Sequence, residues 1–200
     1  MGLREINFDL MNDLFSGLNN VASHVRPYVL TTWSWSRALQ IAGQDDREIL
    51  EGAELTATLE AMEDFVDRVE VIYLWSQILR NPNVGLPGNS TLGSILSADH
   101  YEFGGPSWTA LRRQRRDSTS FRAAANYGPG LKNLGWARSP PRFREILVPT
   151  ETARPAIAAF QKILGDRLDH PAFSTFGSVR VTRQEVDGWG DAWALDTMTD

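Results

Sequence analysis

The sequence predicts a mainly α chain with a small β component: an N-terminal helical region followed by a C-terminal α+β unit. Three observations carry this reading. Apolar residues recur at steps of three and four through residues 20–42 and 47–80, the period of a helix face. The stretch NPNVGLPGNSTLGS, Asn81 to Ser94, is rich in Gly and Pro and reads as a break between units. Beyond it, residues 118–164 alternate short helical patterns with two short strand patterns around Ser139-Pro140-Pro141-Arg142. The expected organisation is a helical region over 1–81, a linker and irregular segment over 82–107, and an α+β unit with a C-terminal helix over 108–200.

Taken in order, Phe8 to Phe15 reads as a short amphipathic helix stopped by Gly17. Asn20 to Ala42 reads as a second. Val21, Val25, Tyr28, Thr32, Trp35 and Leu39 mark one face, with Trp33 and Ile41 off it, so burial on more than one side is expected. Pro27 either bends this helix or restarts it. The third and longest runs from about Arg47 to Arg80, with Leu55, Leu59, Met62, Val66, Val69 and Tyr73 as its stripe. Glu60, Glu63, Asp64, Asp67 and Glu70 are expected to face water, with Asp64 and Arg68 as an i,i+4 pair. Asn81-Pro82 ends the helix. His24, Arg26 and Arg37 fall in a Trp-rich setting. They are expected to pair with acids of the long helix, such as Asp67 or Glu70, and the alternative is a clamp on a carboxylate or phosphate.

In the second half, Ser118 to Ala125 is a short helix with a Ser/Thr cap. Gly128-Pro129-Gly130 is a turn, Gly130 to Leu134 a second short helix, and Gly135 its stop. Trp136 to Arg138 and Phe143 to Val148 are strands, and Thr150 caps a helix that runs to Leu164. A strand over Ser178 to Thr182 precedes Thr182-Arg183-Gln184-Glu185, which has capping-box spacing. The helix that follows carries Trp189 and Trp193 four apart. The chain stops soon after it, at Asp200, which reads as a piece of a longer protein.

Composition excludes several classes. There is no Cys, so disulfides and thiolate metal sites are ruled out. No apolar run is long enough to span a bilayer, and the N-terminus has charges where a signal peptide is apolar. The expectation is a soluble cytoplasmic chain with no membrane role. No G-x-x-x-x-G-K-[ST] occurs. Lysine stands only at 132 and 162, and neither follows an acid by two residues, so a carboxylate-x-Lys nuclease motif fails. Gly88 to Gly93 has the wrong spacing for a nucleophile elbow. Asp166-Arg167-Leu168-Asp169-His170 brings two carboxylates and one imidazole together, but a metal needs a third ligand from elsewhere. No metal and no cofactor is expected. An Asp/His hydrolase is the least favoured of the functional readings.

Charge is uneven along the chain. Leu111 to Arg144 holds nine basic residues against Asp117, a net +8, whereas the whole chain is −5. The basic residues are Arg112, Arg113, Arg115, Arg116, Arg122, Lys132, Arg138, Arg142 and Arg144. Arginine favours bidentate contacts with phosphate or carboxylate over diffuse charge. These nine are therefore the candidate nucleic-acid-binding residues, with Trp108 as a stacking or core residue beside them. An acidic protein partner, or a second copy of this acidic chain, is the alternative reading.

Two resemblances add to this. Leu134-Gly135-Trp136 and Thr150-Glu151-Thr152-Ala153-Arg154 resemble parts of winged-helix domains: the end of the recognition helix and the start of the helix after the wing. Ala153 stands where that family usually has Gly, and Pro155 is unusual there. The resemblance implies that Arg138, Arg142 and Arg144 lie on or beside a wing, Lys132 on the recognition helix and Arg122 before it. Separately, Phe15 to Ala38 resembles in texture the start of uncharacterised bacterial proteins from defence loci, which implies a place in a larger assembly but no activity. The expected function is a non-enzymatic protein-docking module with sequence-nonspecific DNA or RNA backbone contact. A purely structural or oligomerisation domain is the alternative.

Overall fold

The computed structural model describes residues 25–43, 56–117, 123–144 and 146–194. These residues form a mainly helical body with two small antiparallel sheets. The expected helix over Phe8 to Phe15, the first turns of the two long helices and most of the one at Ser118 to Ala125 lie outside the described residues.

Helix α1, Arg26–Ala42, begins with Pro27 in its first turn, where the missing N–H is harmless. Pro27 therefore starts the described helix rather than bending it. Gly43 ends it at φ 63°, with its N–H bonded back to the carbonyls of Gln40 and Leu39. As the off-face Trp33 implied, α1 is buried on more than one side: Leu30, Trp33, Trp35 and Ala38 all lie in the core. The buried Thr31, Thr32 and Ser34 hydroxyls donate to the carbonyls of Pro27, Tyr28 and Leu30, so none is left unsatisfied.

Helix α2, Thr56–Arg80, is the axis of the molecule. Every residue from Phe65 to Gln77 is buried, which leaves its middle with no solvent face. The prediction of a water-facing acidic side holds for Glu60, which is exposed, and fails for Asp67 and Glu70, which are buried. Arg68 is fully buried as well. Its guanidinium donates to the carbonyls of Gly177 at 2.8 Å and Thr175 at 2.5 Å and lies 5.1 Å from the Phe65 ring. Burial pushes it down to about 10, with the charge of Asp64 opposing, so it remains a cation at neutral pH.

Between α2 and the C-terminal half the chain is more ordered than the expected linker. A 3-10 turn at Asn89–Thr91 and the single-turn α3, Gly93–Leu96, lead to strand β1, His100–Phe103. Leu92, Ile95 and Phe103 join the same core as α1 and α2. Strand β1 was not predicted. Its alternation of exposed His100 and Glu102 with inward Phe103 is a strand signal too short to stand out beside Gly104-Gly105. Helix α4, Pro106–Asp117, carries the arginine cluster and also exceeds prediction.

Helix α5, Ala123–Asn133, runs through Gly128-Pro129-Gly130, where the sequence predicted a turn between two helices. Packing wins over local turn chemistry here: Tyr127 and Leu131 are buried, and an added Cβ at Gly128 would touch the Leu147 methyls at 3.7 Å. Strands β2, Ala137–Arg138, and β3, Val148–Pro149, pair antiparallel, with Arg138 opposite Val148. They are much shorter than predicted, and residues 139–147 form the loop between them. A 3-10 turn at Glu151–Ala153 leads into α6, Arg154–Leu164, with Pro155 in its first turn as expected.

The single-turn α7, Pro171–Ser174, precedes β4, Val179–Thr182, and α8, Arg183–Trp193. Strand β4 pairs antiparallel with β1, with Phe103 opposite Val179, so the expected linker is stitched to the C-terminus. The predicted capping box is formed: Thr182 Oγ1 accepts from the Glu185 N–H, and Glu185 accepts from the Thr182 N–H. Trp193 is fully buried and donates through Nε1 to Ser76 Oγ at 2.9 Å, which fixes α8 on α2.

At the end of β1, Gly104 has φ 88°, and a Cβ there would meet the Ser178 Cα at 2.8 Å. Gly104→Ala therefore meets both positive-φ strain and a backbone clash. We expect a loss of about 2 kcal/mol or more in urea unfolding, beyond the ordinary Gly-to-Ala difference.

Candidate nucleic-acid interface

The nine predicted basic residues do not act as one surface. Helix α4 pairs three of its four arginines with acids of α2: Arg112 and Arg115 are drawn inward, and Arg116 pairs at the surface. Trp108 and Arg112, one turn apart, reach Asp64: Trp108 donates through Nε1 at 2.8 Å, and Arg112 Nη1 lies 3.0 Å from the carboxylate. Arg112 also donates to Asp67 at 2.8 Å. One turn on, Arg115 meets Glu70 at 2.5 Å and Thr91 Oγ1 at 2.8 Å, with side-chain exposures of 2% for Arg115 and 9% for Glu70. Arg116 pairs with Glu63. Asp67 and Glu70, three apart on α2, are answered by Arg112 and Arg115, three apart on α4.

This corrects two expectations. The acids of α2 form a docking seam rather than a solvated face. Arg112 and Arg115 are held in largely buried ion pairs and withdrawn from phosphate, and Arg116, though exposed, is paired with Glu63. Arg113, on the outer side of α4, is exposed. Arg122 lies outside the described residues. Trp108 is a core residue and not a stacking platform, being 1% exposed. Arg37 does not reach the acids of α2; it donates to the Phe173 carbonyl at 3.0 Å and fastens α1 to α7.

The remaining four basic residues share one small structure. Lys132, Arg138, Arg142 and Arg144 are all exposed and belong to the end of α5 and the β2–β3 loop. No acid occurs between Lys132 and Arg144; Glu145, which follows, lies outside the described residues. The loop is braced from inside. Ser139 Oγ is 2.8 Å from the carbonyls of both Arg144 and Ile146, and Lys132 Nζ reaches the Arg144 carbonyl at 3.3 Å. Gly135, at φ 66°, turns the chain from α5 into β2, and the Trp136 N–H caps the helix through the Leu131 carbonyl at 2.8 Å. The Thr150 hydroxyl donates to the Gly135 carbonyl and ties β3 to this turn. The brace, in which Lys132 itself takes part, fixes the backbone that carries these exposed cations, an arrangement suited to phosphate contacts without base reading.

The Asp166–His170 cluster has a different role. His170 Nδ1 accepts from the Ala172 N–H at 3.1 Å and caps α7, while Nε2 lies 3.3 Å from Glu185 Oε1. Both ring nitrogens are thus engaged, and neither is left to take a proton from a water or hydroxyl. The ring also packs edge-on against Trp189 at 4.9 Å. Among the described residues no group of three His, Asp or Glu side chains is placed to hold a metal. Nor, among them, is any helix long and apolar enough to cross a membrane. Burial pushes the Glu185 carboxyl up, but hydrogen bonds from the Thr182 N–H and hydroxyl, with the charge and hydrogen bond of His170, outweigh it, so it sits below its ordinary value.

Two outcomes test these assignments. Arg115→Ala leaves Glu70 buried without its cation, so we expect a loss of about 3–5 kcal/mol. Replacing the pair together by Met and Leu should recover most of it, while Arg113→Ala stays within about 0.5 kcal/mol in urea unfolding. A carboxyl held low in the folded state adds stability above its unfolded pKa and loses it as pH falls through the folded one. Glu185→Gln should therefore cost up to about 1 kcal/mol near pH 7, and the gap to the parent chain should close as pH falls below about 4.3. No protein-family model, no curated protein and no solved structure matches this chain.

Proposed function

We propose that this chain is a non-catalytic module that docks other protein subunits and holds nucleic-acid backbone, without reading its sequence, on the β2–β3 loop. One observation carries the reading. Lys132 at the end of α5, Arg138 of β2 and Arg142 and Arg144 of the braced loop that follows are all exposed, and the sequence from Lys132 to Arg144 has no acid, in a chain that is −5 overall. Such a local field favours a polyanion, and its four charges suit backbone contact more than base readout. The helix–strand–loop–strand–helix order around it supports the winged-helix-like layout in which a wing meets phosphates. A purely structural domain is the second reading. It is favoured by the pairing of Arg112, Arg115 and Arg116 with acids of α2, by which arginine in this chain also serves the fold.

Fluorescence anisotropy with labelled DNA and RNA over a salt series tests the proposal. Four phosphate contacts give a slope of log affinity on log salt of about −3 to −4. Arg142→Ala with Arg144→Ala should reduce the slope by about 2 and weaken every sequence alike. No binding at low salt, or binding that keeps its slope in the double variant, would leave the structural reading in place.

A further inference from the structure

Beside the basic loop lies a groove of different chemistry. It encloses about 410 Å³ between α1 and α6. Leu39, Pro149 and Ile157 supply its apolar surface, and Gln40, Thr150 and Gln161 supply polar groups. Gln40, whose Oε1 accepts from Arg37 Nη1 at 3.4 Å, lines the groove with an amide that carries two donor hydrogens. Arg154 and Glu151, also in the lining, pair with each other at 2.6 Å. The groove and the loop share a wall. Pro149 lines the groove, and the residue before it, Val148, pairs with Arg138 of the loop. Thr150 lines the groove as well and bonds the Gly135 carbonyl at the loop's base.

We propose that this groove receives an unpaired nucleobase, so that the nucleic acid bound by the loop is single-stranded. The inference rests on the polyanion reading given above. A base is a flat ring whose faces favour apolar contact and whose edge carries donors and acceptors. Glutamine amides match such edges, and an apolar surface suits the faces. Bases in a duplex are stacked and paired, and cannot enter a groove while their phosphates stay on the adjoining loop. A single strand lets one nucleotide satisfy both: its phosphate meets the loop cations and its base turns into the groove.

The test uses the full chain and three labelled probes of equal length: a single strand, its blunt duplex and an abasic strand. The single strand should bind about tenfold more tightly than the abasic strand, the size of one well-made base contact. Ala158→Trp, at an exposed position in the groove, should remove that difference while leaving the salt slope of the abasic strand unchanged. Gln161→Ala should remove part of it with an unaltered unfolding midpoint, which guards against misfolding of the bulkier variant. Equal affinity for the abasic and normal strands, or no effect of either variant on a salt-dependent complex, overturns the groove assignment and leaves the loop reading intact. Absence of salt-dependent binding to all three probes overturns the loop reading, and the groove assignment with it.

Discussion

Burying a charge costs several kcal/mol unless a partner and hydrogen bonds accompany it. Helix α2 buries Asp67, Arg68 and Glu70 in adjacent positions. Each must be answered from a different part of the chain. Asp67 is met by Arg112 of α4, Glu70 by Arg115 one turn further on, and Arg68 by the carbonyls of Thr175 and Gly177 before β4. Removing any one of these partners takes a principal ion pair or hydrogen-bond set away from a buried charge. The charges therefore act as a registry device: α4 and the 175–177 turn can sit on α2 in one alignment only. The apolar core supplies the bulk of the stabilisation, but apolar contact alone does not select that alignment.

The same constraint sorts the arginines. Arg112 and Arg115, set opposite Asp64, Asp67 and Glu70, are drawn onto α2, whereas Arg113 on the same helix and Arg138, Arg142 and Arg144 further on are exposed. Sequence density alone would have merged the two sets. At the β2–β3 loop and its flanks, exposed cationic residues stand on a backbone held by Ser139, Thr150 and the Gly135 turn.

Much of the fold was legible in the sequence because it rests on local signals. The helical stripes of α1 and α2, the stop at Asn81-Pro82, the capping box at Thr182 and the strand before it all follow from periodicity or cap chemistry. What was not legible is long-range. The pairing of β1 with β4 joins segments about eighty residues apart, and His100 to Phe103 carries too few alternations to announce a strand. The run through Pro129 is helical because Tyr127 and Leu131 must be buried, which no local rule contains. For the candidate site, the sequence grouped the four exposed residues proposed to meet nucleic acid with the arginines of α4, three of which pair with α2, since that pairing depends on tertiary register. The groove residues were invisible: Gln40, Thr150 and Gln161 come from three elements and are unremarkable in isolation.

The clamp made by Arg68 has a consequence for how the molecule opens. Its two carbonyl acceptors lie immediately before β4, and β4 is paired with β1 and continues into α8, whose Trp193 bonds Ser76 of α2. The segment from Thr175 to Trp193 is thus fastened to the central helix at both of its ends. Fraying of that segment would strand a guanidinium among apolar side chains, so it has no low-energy partial opening. Amide hydrogens in β4 and α8 should then exchange with solvent through the same global event as those in the middle of α2, as one cooperative unit rather than as a detachable tail.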